Sequence, residues 1–276
     1  MIIDFSVLVK TRRRVLMSNM KISVCGKGGS GKSVLTAMLA FQAQARGLKV
    51  LVIDSDESNS GLYRLLGFQK PPTPLLALVG GKNEVRQRMG RVDLFAGEQI
   101  LVDDIPAPYI VERDNLKSVS IGKIMQSLEG CACPMGVLCR EFLNKLRLTK
   151  GEVAIVDMEA GVEHFGRGID EHIDTILLVV EPSMESVFMA EKIRELAVGV
   201  KKTIWAVLNK THTETMAAEL VQMLEKNSID VVGVIPYDPA VFEACLKGHT
   251  IARTEGFQAA GQILSSVLER TDNPRV

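Results

Sequence analysis

The octapeptide GKGGSGKS, at residues 26–33, constrains the fold of this chain more than any other feature. It matches the phosphate-binding pattern G-x-x-x-x-G-K-[ST], and it lies between a β-rich run and a helical pattern at residues 34–39. Glycines let backbone N–H groups curl around phosphate oxygens at the N-terminus of the following helix. The sequence therefore predicts a strand, a phosphate loop and a helix, with Lys32 reaching the β- and γ-phosphates and Ser33 binding Mg²⁺.

The hydrophobic pattern of the rest of the chain predicts an α/β fold. Apolar, β-rich runs predict strands at residues 21–25, 49–53, 92–95, 153–156, 173–180, 203–208 and 231–235. Their hydrophobicity is continuous rather than alternating, which is typical of strands covered on both faces of a parallel sheet. Helical patterns begin at residue 34 and recur at 189–196, 220–224 and 256–270. We therefore expect a three-layer, doubly wound domain with a mostly parallel sheet and right-handed crossovers.

The domain organisation follows from the length and the irregular stretches. The chain has 276 residues, 46% of them hydrophobic, which suits one P-loop domain over residues 20–276 with a large buried core. Residues 1–19 precede the first predicted strand, so we expect a disordered N-terminal extension or a misassigned start. Residues 68–91 are rich in Pro and Gly and predict a surface loop. Residues 98–140 predict an irregular insertion, which holds the sequence Cys-Ala-Cys.

Charge and cysteine usage limit the partners and the compartment. Lys+Arg and Asp+Glu number 33 each, so the overall charge gives no case for nucleic acid or an anionic membrane as a partner. We found no apolar run near the roughly 20 residues that a membrane span needs. Five unevenly spaced cysteines do not resemble a secreted disulfide framework. We therefore expect a cytoplasmic protein with reduced thiols.

Carboxylates follow two of the predicted strands. Asp157 ends the strand at 153–156 and is expected to hold Mg²⁺ through water, as a Walker B aspartate does. Asp54 follows the strand at 49–53 and is expected to support the loop. Residues 157–168, DMEAGVEHFGRG, predict a switch segment whose Gly161 N–H senses the γ-phosphate, with His164 a polar residue of the segment rather than a metal ligand.

The phosphate loop carries an additional lysine, Lys27, at its second position. The arrangement KGGSGK resembles the deviant Walker A loop of the superfamily that includes the Min and Par positioning ATPases and the nitrogenase iron protein. In that superfamily this lysine crosses a dimer interface and stabilises charge on the nucleotide of the other subunit. The resemblance implies that Lys27 and Lys32 are catalytic, that Asp56 orients the attacking water, and that hydrolysis is coupled to dimerisation.

Two cysteines separated by one residue, Cys131 and Cys133, suggest a metal site. Two thiolates can chelate one soft ion, but Zn²⁺ and Ni²⁺ want four ligands. A twofold symmetric dimer supplies four sulfurs, so the pair predicts one metal per dimer. Cys139 is expected in the core, with an auxiliary thiol as the alternative, and Cys25 and Cys245 are expected to be small buried residues.

Taken together, VLVIDSDESN, Cys-Ala-Cys, DMEAGVEHFGRG, LNK and IPYDPAVFEACLKG resemble the CooC-type ATPases that help to insert nickel into carbon monoxide dehydrogenase. The resemblance implies an ATP- and Mg²⁺-dependent homodimer in the ATP- and metal-bound states, with carbon monoxide dehydrogenase as its client. It implies Ni²⁺, or Zn²⁺ in its place, on Cys131 and Cys133. It also implies nucleotide contacts from residues of the loop and of two later strands: Gly28, Gly29, Ser30, Gly31, Lys32, Ser33, Val34, Asn209, Lys210, Pro236, Tyr237 and Asp238.

Two other functions within the superfamily stay open. A positioning ATPase of the Min or Par type, without a metal role, predicts a basic DNA-binding surface or an amphipathic C-terminal anchor, but the polar face at 256–270 carries Gln, Ser and Glu. A reductase with a [4Fe–4S] cluster takes one cysteine from just beyond the Walker B strand. No cysteine lies between Cys139 and Cys245, which disfavours it. The client enzyme and the physiological metal also stay open.

Overall fold

The computed structural model describes residues 19–58, 61–90, 93–123, 133–251 and 255–271. Its strands are β1 (Met20–Gly26), β2 (Lys49–Asp54), β3 (Ile100–Leu101), β4 (Ile110–Arg113), β5 (Leu116–Ser120), β6 (Leu146–Arg147), β7 (Glu152–Asp157), β8 (Thr175–Val180), β9 (Thr203–Thr211) and β10 (Val231–Pro236). Its helices are α1 (Lys32–Ala45), α2 (Leu62–Leu65), α3 (Leu75–Leu78), α4 (Lys82–Arg88), α5 (Cys133–Lys145), α6 (Glu163–Gly166), α7 (Met184–Gly199), α8 (Glu214–Lys226), α9 (Pro239–Lys247) and α10 (Glu255–Thr271).

The main sheet has eight strands in the order β10-β9-β8-β1-β7-β2-β5-β4. Neighbouring strands run parallel except at one edge, where β4 pairs antiparallel with β5. The strand β1 lies between β7 and β8, and its register places Val24 beside Asp157 and Gly26 beside Val179. The strand order reverses there, and open α/β sheets bind ligands at the carboxyl ends of strands at such a point.

Helices cover both faces of the sheet and enclose two apolar cores. On one face Ile22 and Val52 pack with α1 and α10. On the other face Ile53 and Val156 pack with α5, α7 and α8. All residues of the central strands β7 and β8 are buried, which explains their continuous apolar runs. The predicted three-layer, doubly wound α/β fold is confirmed.

The four predicted helical patterns are confirmed as α1, α7, α8 and α10. The helix expected around Cys245 is α9, and the structure adds α5 and several short helices. Among the described residues, no helix combines the length and the apolar content that crossing a membrane requires. Residues 1–18, nearly all of the predicted N-terminal extension, lie outside the described residues.

The predicted strand at residues 92–95 is wrong for the part that the structure describes. Leu94 and Phe95 lie outside any strand, and Val92 lies outside the described residues. Both backbone N–H groups donate to the carboxylate of Glu141 instead of to a neighbouring strand. The Phe95 ring packs 5.8 Å from that of Phe142 on α5. The apolar run therefore marks a buried loop rather than a strand.

The described residues between 98 and 140 are more regular than predicted. They contain β4 and β5, and β5 joins the main sheet as the parallel neighbour of β2. The sequence of β5, LKSVS, buries Ser118 and Ser120 on the same face as Leu116. These serines interrupt the continuous apolar pattern by which the other parallel strands were predicted.

Residues 68–91 are also more regular than the predicted surface loop. The short helices α3 and α4 lie within them, and Pro74 immediately precedes α3. Leu75 and Val85 are buried in the core beside α5. The Pro- and Gly-rich stretch therefore also completes the core.

Candidate nucleotide-binding site

Residues 26–33 connect the end of β1 to the beginning of α1. Gly26, Gly29 and Gly31 have φ angles of 138°, 80° and 101°, in the region that favours glycine. A Cβ added to Gly26 would lie 2.5 Å from the carbonyl oxygen of Val179, and one added to Gly31 would lie 2.3 Å from Nδ2 of Asn209. The tight loop and the helix N-terminus that follows it form an arrangement suited to phosphate.

The side chain of Lys32 folds back over its own loop. Its Nζ lies 3.3 Å from the carbonyl oxygen of Lys27, and only 7% of the residue is exposed. An ammonium group held there by a backbone carbonyl is available to phosphate oxygens that enter the loop.

Ser33 and Asp157, which were predicted to hold Mg²⁺, lie in direct contact. The Ser33 hydroxyl donates to Oδ2 of Asp157 at 2.6 Å. The second carboxylate oxygen, Oδ1, is buried and has no hydrogen-bond partner among the described residues. Because Mg²⁺ prefers oxygen ligands and keeps several waters, this hydroxyl and carboxylate fit the ion and its bound water.

Burial perturbs the carboxylates at this edge of the sheet. Burial, and after it the nearby Asp54, raise the pKa of Asp157 to about 7 against the opposing effects of Ser33 and Lys32. Burial also raises the pKa of Asp54 to about 6, although Lys123 Nζ lies 2.7 Å from its Oδ2 and opposes the change. The cause is the cost of placing charged carboxylates together in a poorly solvated site, a cost that a bound cation would relieve.

Asp56 is held by its own loop. Its Oδ1 accepts hydrogen bonds from the backbone N–H and the hydroxyl of Ser58, at 2.9 and 2.6 Å. The residue is 8% exposed, and its backbone carbonyl accepts a hydrogen bond from Lys123. Its charge acts on the pKa of both Asp54 and Asp157, so the three carboxylates form one cluster at the carboxyl ends of β2 and β7.

The switch segment, residues 157–168, returns to the phosphate loop. The Gly161 N–H donates to the carbonyl oxygen of Gly26 at 3.3 Å. His164 is fully buried, with Nδ1 2.8 Å from Oδ2 of Asp170 and its ring 4.6 Å from that of Phe165. This histidine therefore anchors the segment in the core, and its ring does not reach the surface.

Lys27 points away from the loop, towards the beginning of α7. Its Nζ lies 2.7 Å from Oε2 of Glu185 and 3.3 Å from Oε1 of Glu181. The other oxygen of Glu181 lies 3.2 Å from Nζ of Lys210. Sequence reasoning missed both glutamates. The available signal was their position, since Glu181 directly follows β8 and Glu185 lies in the first turn of α7.

A cavity of about 240 Å³ lies beside the phosphate loop, between α1 and the ends of β9 and β10. Its lining is mainly apolar, as suits a flat base. The Asn209 amide donates to the carbonyl oxygen of Ser30 at 2.7 Å, so it links the cavity to the loop. Eight of the predicted nucleotide contacts line this cavity: Gly29, Gly31, Val34, Asn209, Lys210, Pro236, Tyr237 and Asp238. Six further residues complete its lining: Leu35, Met38, Ile235, Val241, Phe242 and Cys245.

The structure places the cysteines in different environments. Cys133 is the exposed first residue of α5 and is disulfide-bonded, so the expectation of reduced thiols is wrong for this residue. Cys131 lies outside the described residues. Cys25 and Cys139 are buried, as expected. The expectation for Cys245 was wrong: it is exposed, because α9 lies on the surface without a buried residue. Within the described ranges, no group of three or more His, Cys, Asp or Glu side chains is placed to hold a metal.

Comparison with known proteins identifies the family. The model for the CobQ/CobB/MinD/ParA nucleotide binding domain matches residues 22–251. An uncharacterized ATP-binding protein of Methanocaldococcus jannaschii is 43% identical over 238 residues, which cover 84% of this chain and 94% of that protein. The carbon monoxide dehydrogenase accessory protein CooC of Rhodospirillum rubrum is 34% identical over 228 residues, which cover 80% of this chain and 85% of that protein.

A solved structure shows the same fold. The cell division ATPase MinD of Pyrococcus furiosus superposes with a TM-score of 0.67 at 22% identity, over 91% of this chain and 99% of that chain. The phosphate loop, the Asp157 carboxylate and the apolar cavity lie where such a fold binds its ligand. The chain therefore belongs to the CobQ/CobB/MinD/ParA family of nucleotide-binding domains, a class of ATPases.

Proposed function

We propose that residues 20–276 form one ATPase domain of a homodimeric metallochaperone, which binds Ni²⁺ through Cys131 and Cys133 of both subunits. Hydrolysis of ATP would be coupled to the insertion of nickel into carbon monoxide dehydrogenase. The 34% identity to the CooC accessory protein supports the choice of client. Zn²⁺ is the alternative ion at the same thiolates.

The proposed ATP site uses residues that already lie together. The adenine would enter the cavity beside Asn209, and the triphosphate would follow the loop towards Lys32. Ser33 and Asp157 would hold Mg²⁺, which supplies a positive charge next to the phosphoryl group that is transferred. Asp56, oriented by Ser58, would direct the attacking water.

The packing of α5 is the observation that carries the metal part of the proposal. This helix begins at Cys133 and lies directly against the switch segment. Gly136 allows the side chain of Arg167 to approach closely, since an added Cβ would lie 2.3 Å from Cδ of Arg167. Arg140 Nη1 lies 3.4 Å from the carbonyl oxygen of Arg167, and Arg167 is itself paired with Glu159. A change in the switch segment on hydrolysis would therefore act on the helix that carries Cys133.

An anaerobic Ni²⁺ titration of metal-free protein, in which the disulfide of Cys133 has first been reduced, tests the proposal. Binding would be followed by thiolate-to-nickel absorption and by native mass, for the wild type, the Cys131→Ser/Cys133→Ser variant and a Cys245→Ser control. Cys245 is an exposed thiol outside α5, so its removal controls for adventitious thiol binding. We expect saturation near one ion per two chains, lost only in the double variant.

Binding that is absent, or that persists in the double variant, would refute the metal site. The chain would then be better described as a nucleotide-switched ATPase of the positioning type.

A further inference from the structure

The ammonium group of Lys27 is neutralised within its own chain. Glu185 Oε2 and Glu181 Oε1 lie 2.7 and 3.3 Å from Lys27 Nζ. The sheet register explains this contact, because β1 and β8 are parallel neighbours in which Gly26 lies beside Val179. The phosphate loop after β1 and the residues after β8 therefore emerge at the same point of the sheet edge.

The three side chains influence each other's charge. Hydrogen bonding to Glu185 raises the pKa of Lys27, and Lys27 lowers the pKa of Glu185. Glu185 lies in the first turn of α7, where the helix N-terminus also favours a negative charge. Lys27 and Glu185 therefore stay ionised at neutral pH. An anion that is to bind Lys27 must displace the carboxylates that lie within 2.7 and 3.3 Å of its Nζ.

The contact is built so that Lys27 can leave it. Glu181 keeps a second partner, because its Oε2 lies 3.2 Å from Nζ of Lys210. Glu185 has a side chain that is 78% exposed, so water would solvate its carboxylate. Release of Lys27 therefore leaves no buried, unpaired carboxylate, which would otherwise make release costly.

We infer that Glu181 and Glu185 hold Lys27 in an inactive position until a second subunit docks, and that Glu185 sets the subunit concentration at which coupled hydrolysis begins. The inference rests on the homodimer of the proposed function and on the expectation that Lys27 acts on the nucleotide of the other subunit. Glu185 is a positioning residue in this scheme, since it acts on the reaction only by controlling where Lys27 lies. A triphosphate on the docked subunit offers Lys27 more negative charge than the two carboxylates do.

The Glu185→Gln variant provides the test. An exposed ion pair shifts an equilibrium by about 1.4- to 5-fold, and a dimer must release two such pairs. The protein concentration that gives half of the maximal ATPase rate per chain should therefore fall by about 2- to 25-fold. The rate at saturating protein should stay the same, because the released state is the same. Raising the ionic strength should reduce the difference from the wild type.

The matched control is Glu195→Gln, on the same helix. Glu195 pairs with Lys192 at 3.2 Å and is 63% exposed, but it lies away from the phosphate loop. Its concentration curve should superimpose on that of the wild type. Thermal unfolding of both variants checks that each one is folded.

Two results would overturn the inference, and they differ in whether dimer-coupled hydrolysis stands. If wild-type activity per chain rises with protein concentration but the Glu185→Gln curve does not move to lower concentration, the role of Glu185 is refuted and dimer-coupled hydrolysis stands. If wild-type activity per chain is independent of protein concentration, dimer coupling is refuted, and the inference is refuted with it.

Discussion

Replacing Asp157 by asparagine should stabilise the nucleotide-free protein at alkaline pH, although the residue is proposed to hold Mg²⁺. Asp157 is fully buried, and burial together with the nearby Asp54 raises its pKa from 3.8 to about 7. Between these pH values the folded chain retains a proton that the unfolded chain has lost. The stabilisation that this proton represents is complete below pH 3.8 and is lost as the pH rises to about 7.

The magnitude follows from the width of this window. At about 1.4 kcal/mol for each pH unit, the ionised carboxylate destabilises the fold by about 4 kcal/mol above pH 7, of which about 3 kcal/mol accrues above pH 5. Asparagine carries no charge. It keeps an oxygen that can accept the hydrogen bond from the Ser33 hydroxyl, which in the wild type donates to the Asp157 carboxylate at 2.6 Å. Its buried NH₂ group lacks a partner and costs about 1–3 kcal/mol at every pH.

The assay is urea denaturation of the wild type and the Asp157→Asn variant at pH 5 and pH 8, with EDTA and without nucleotide. The free energy of unfolding of the variant relative to the wild type should rise by about 3 kcal/mol from pH 5 to pH 8. Comparing the two pH values removes the constant cost of the asparagine. The control is Asp230→Asn, the same substitution at an exposed position. Parallel pH dependence in the wild type and the Asp157→Asn variant would refute the reasoning. Hydrolysis that depends on Mg²⁺ should be lost in the Asp157→Asn variant.

Three further predictions concern the nucleotide site. Lys32→Ala should weaken the binding of a fluorescent ADP analogue by about 10- to 150-fold, since it removes a charged hydrogen-bond donor, and an unchanged Kd would contradict its position over the loop. Gly31→Ala should lower the free energy of unfolding by about 2–3 kcal/mol, from left-handed strain and a displaced Asn209 amide. Gly29→Ala should lower it by only about 1–2 kcal/mol, since an added Cβ has no neighbour within 4 Å, and equal losses in urea denaturation would contradict this difference. Alkylation of Cys245, followed by peptide mass, should slow when ATP fills the cavity, whereas an unchanged rate would place the base elsewhere.

The sheet was predictable where burial on both faces left a continuous apolar run. This holds for β1, β7 and β8, whose side chains enter the apolar cores on both faces of the sheet. It fails for β5, because Ser118 and Ser120 interrupt the run although both are buried. At residues 93–95 the apolar pattern instead predicts a strand that does not form, because the carboxylate of Glu141 replaces a neighbouring strand as the hydrogen-bond partner. Hydrophobic pattern alone does not distinguish a buried loop from a strand.

In the candidate site, too, some residues were predictable from the sequence and others were not. Residues at the ends of strands, such as Asp157 and Asn209, were predictable because parallel strands bring their carboxyl ends to one edge. The partners of Lys27 were not, since Glu181 and Glu185 lie more than 150 residues further along the chain and meet Lys27 only through the pairing of β1 with β8. The exposure of Cys245 was missed because α9 has apolar residues, yet it packs none of them into the core.

The switch segment is the point at which the two halves of the proposed activity meet. At its beginning, Asp157 accepts a hydrogen bond from Ser33, and Gly161 donates to Gly26, so both ends of the phosphate loop are in contact with it. At its end, Arg167 lies against the backbone of α5, where a glycine allows close approach. Between these contacts the buried pair of His164 and Asp170 resists displacement, because separating the pair would leave polar groups unpaired in the core. Movement at the phosphate loop is therefore expected to shift the segment as a unit, and α5 is the element that must accommodate it.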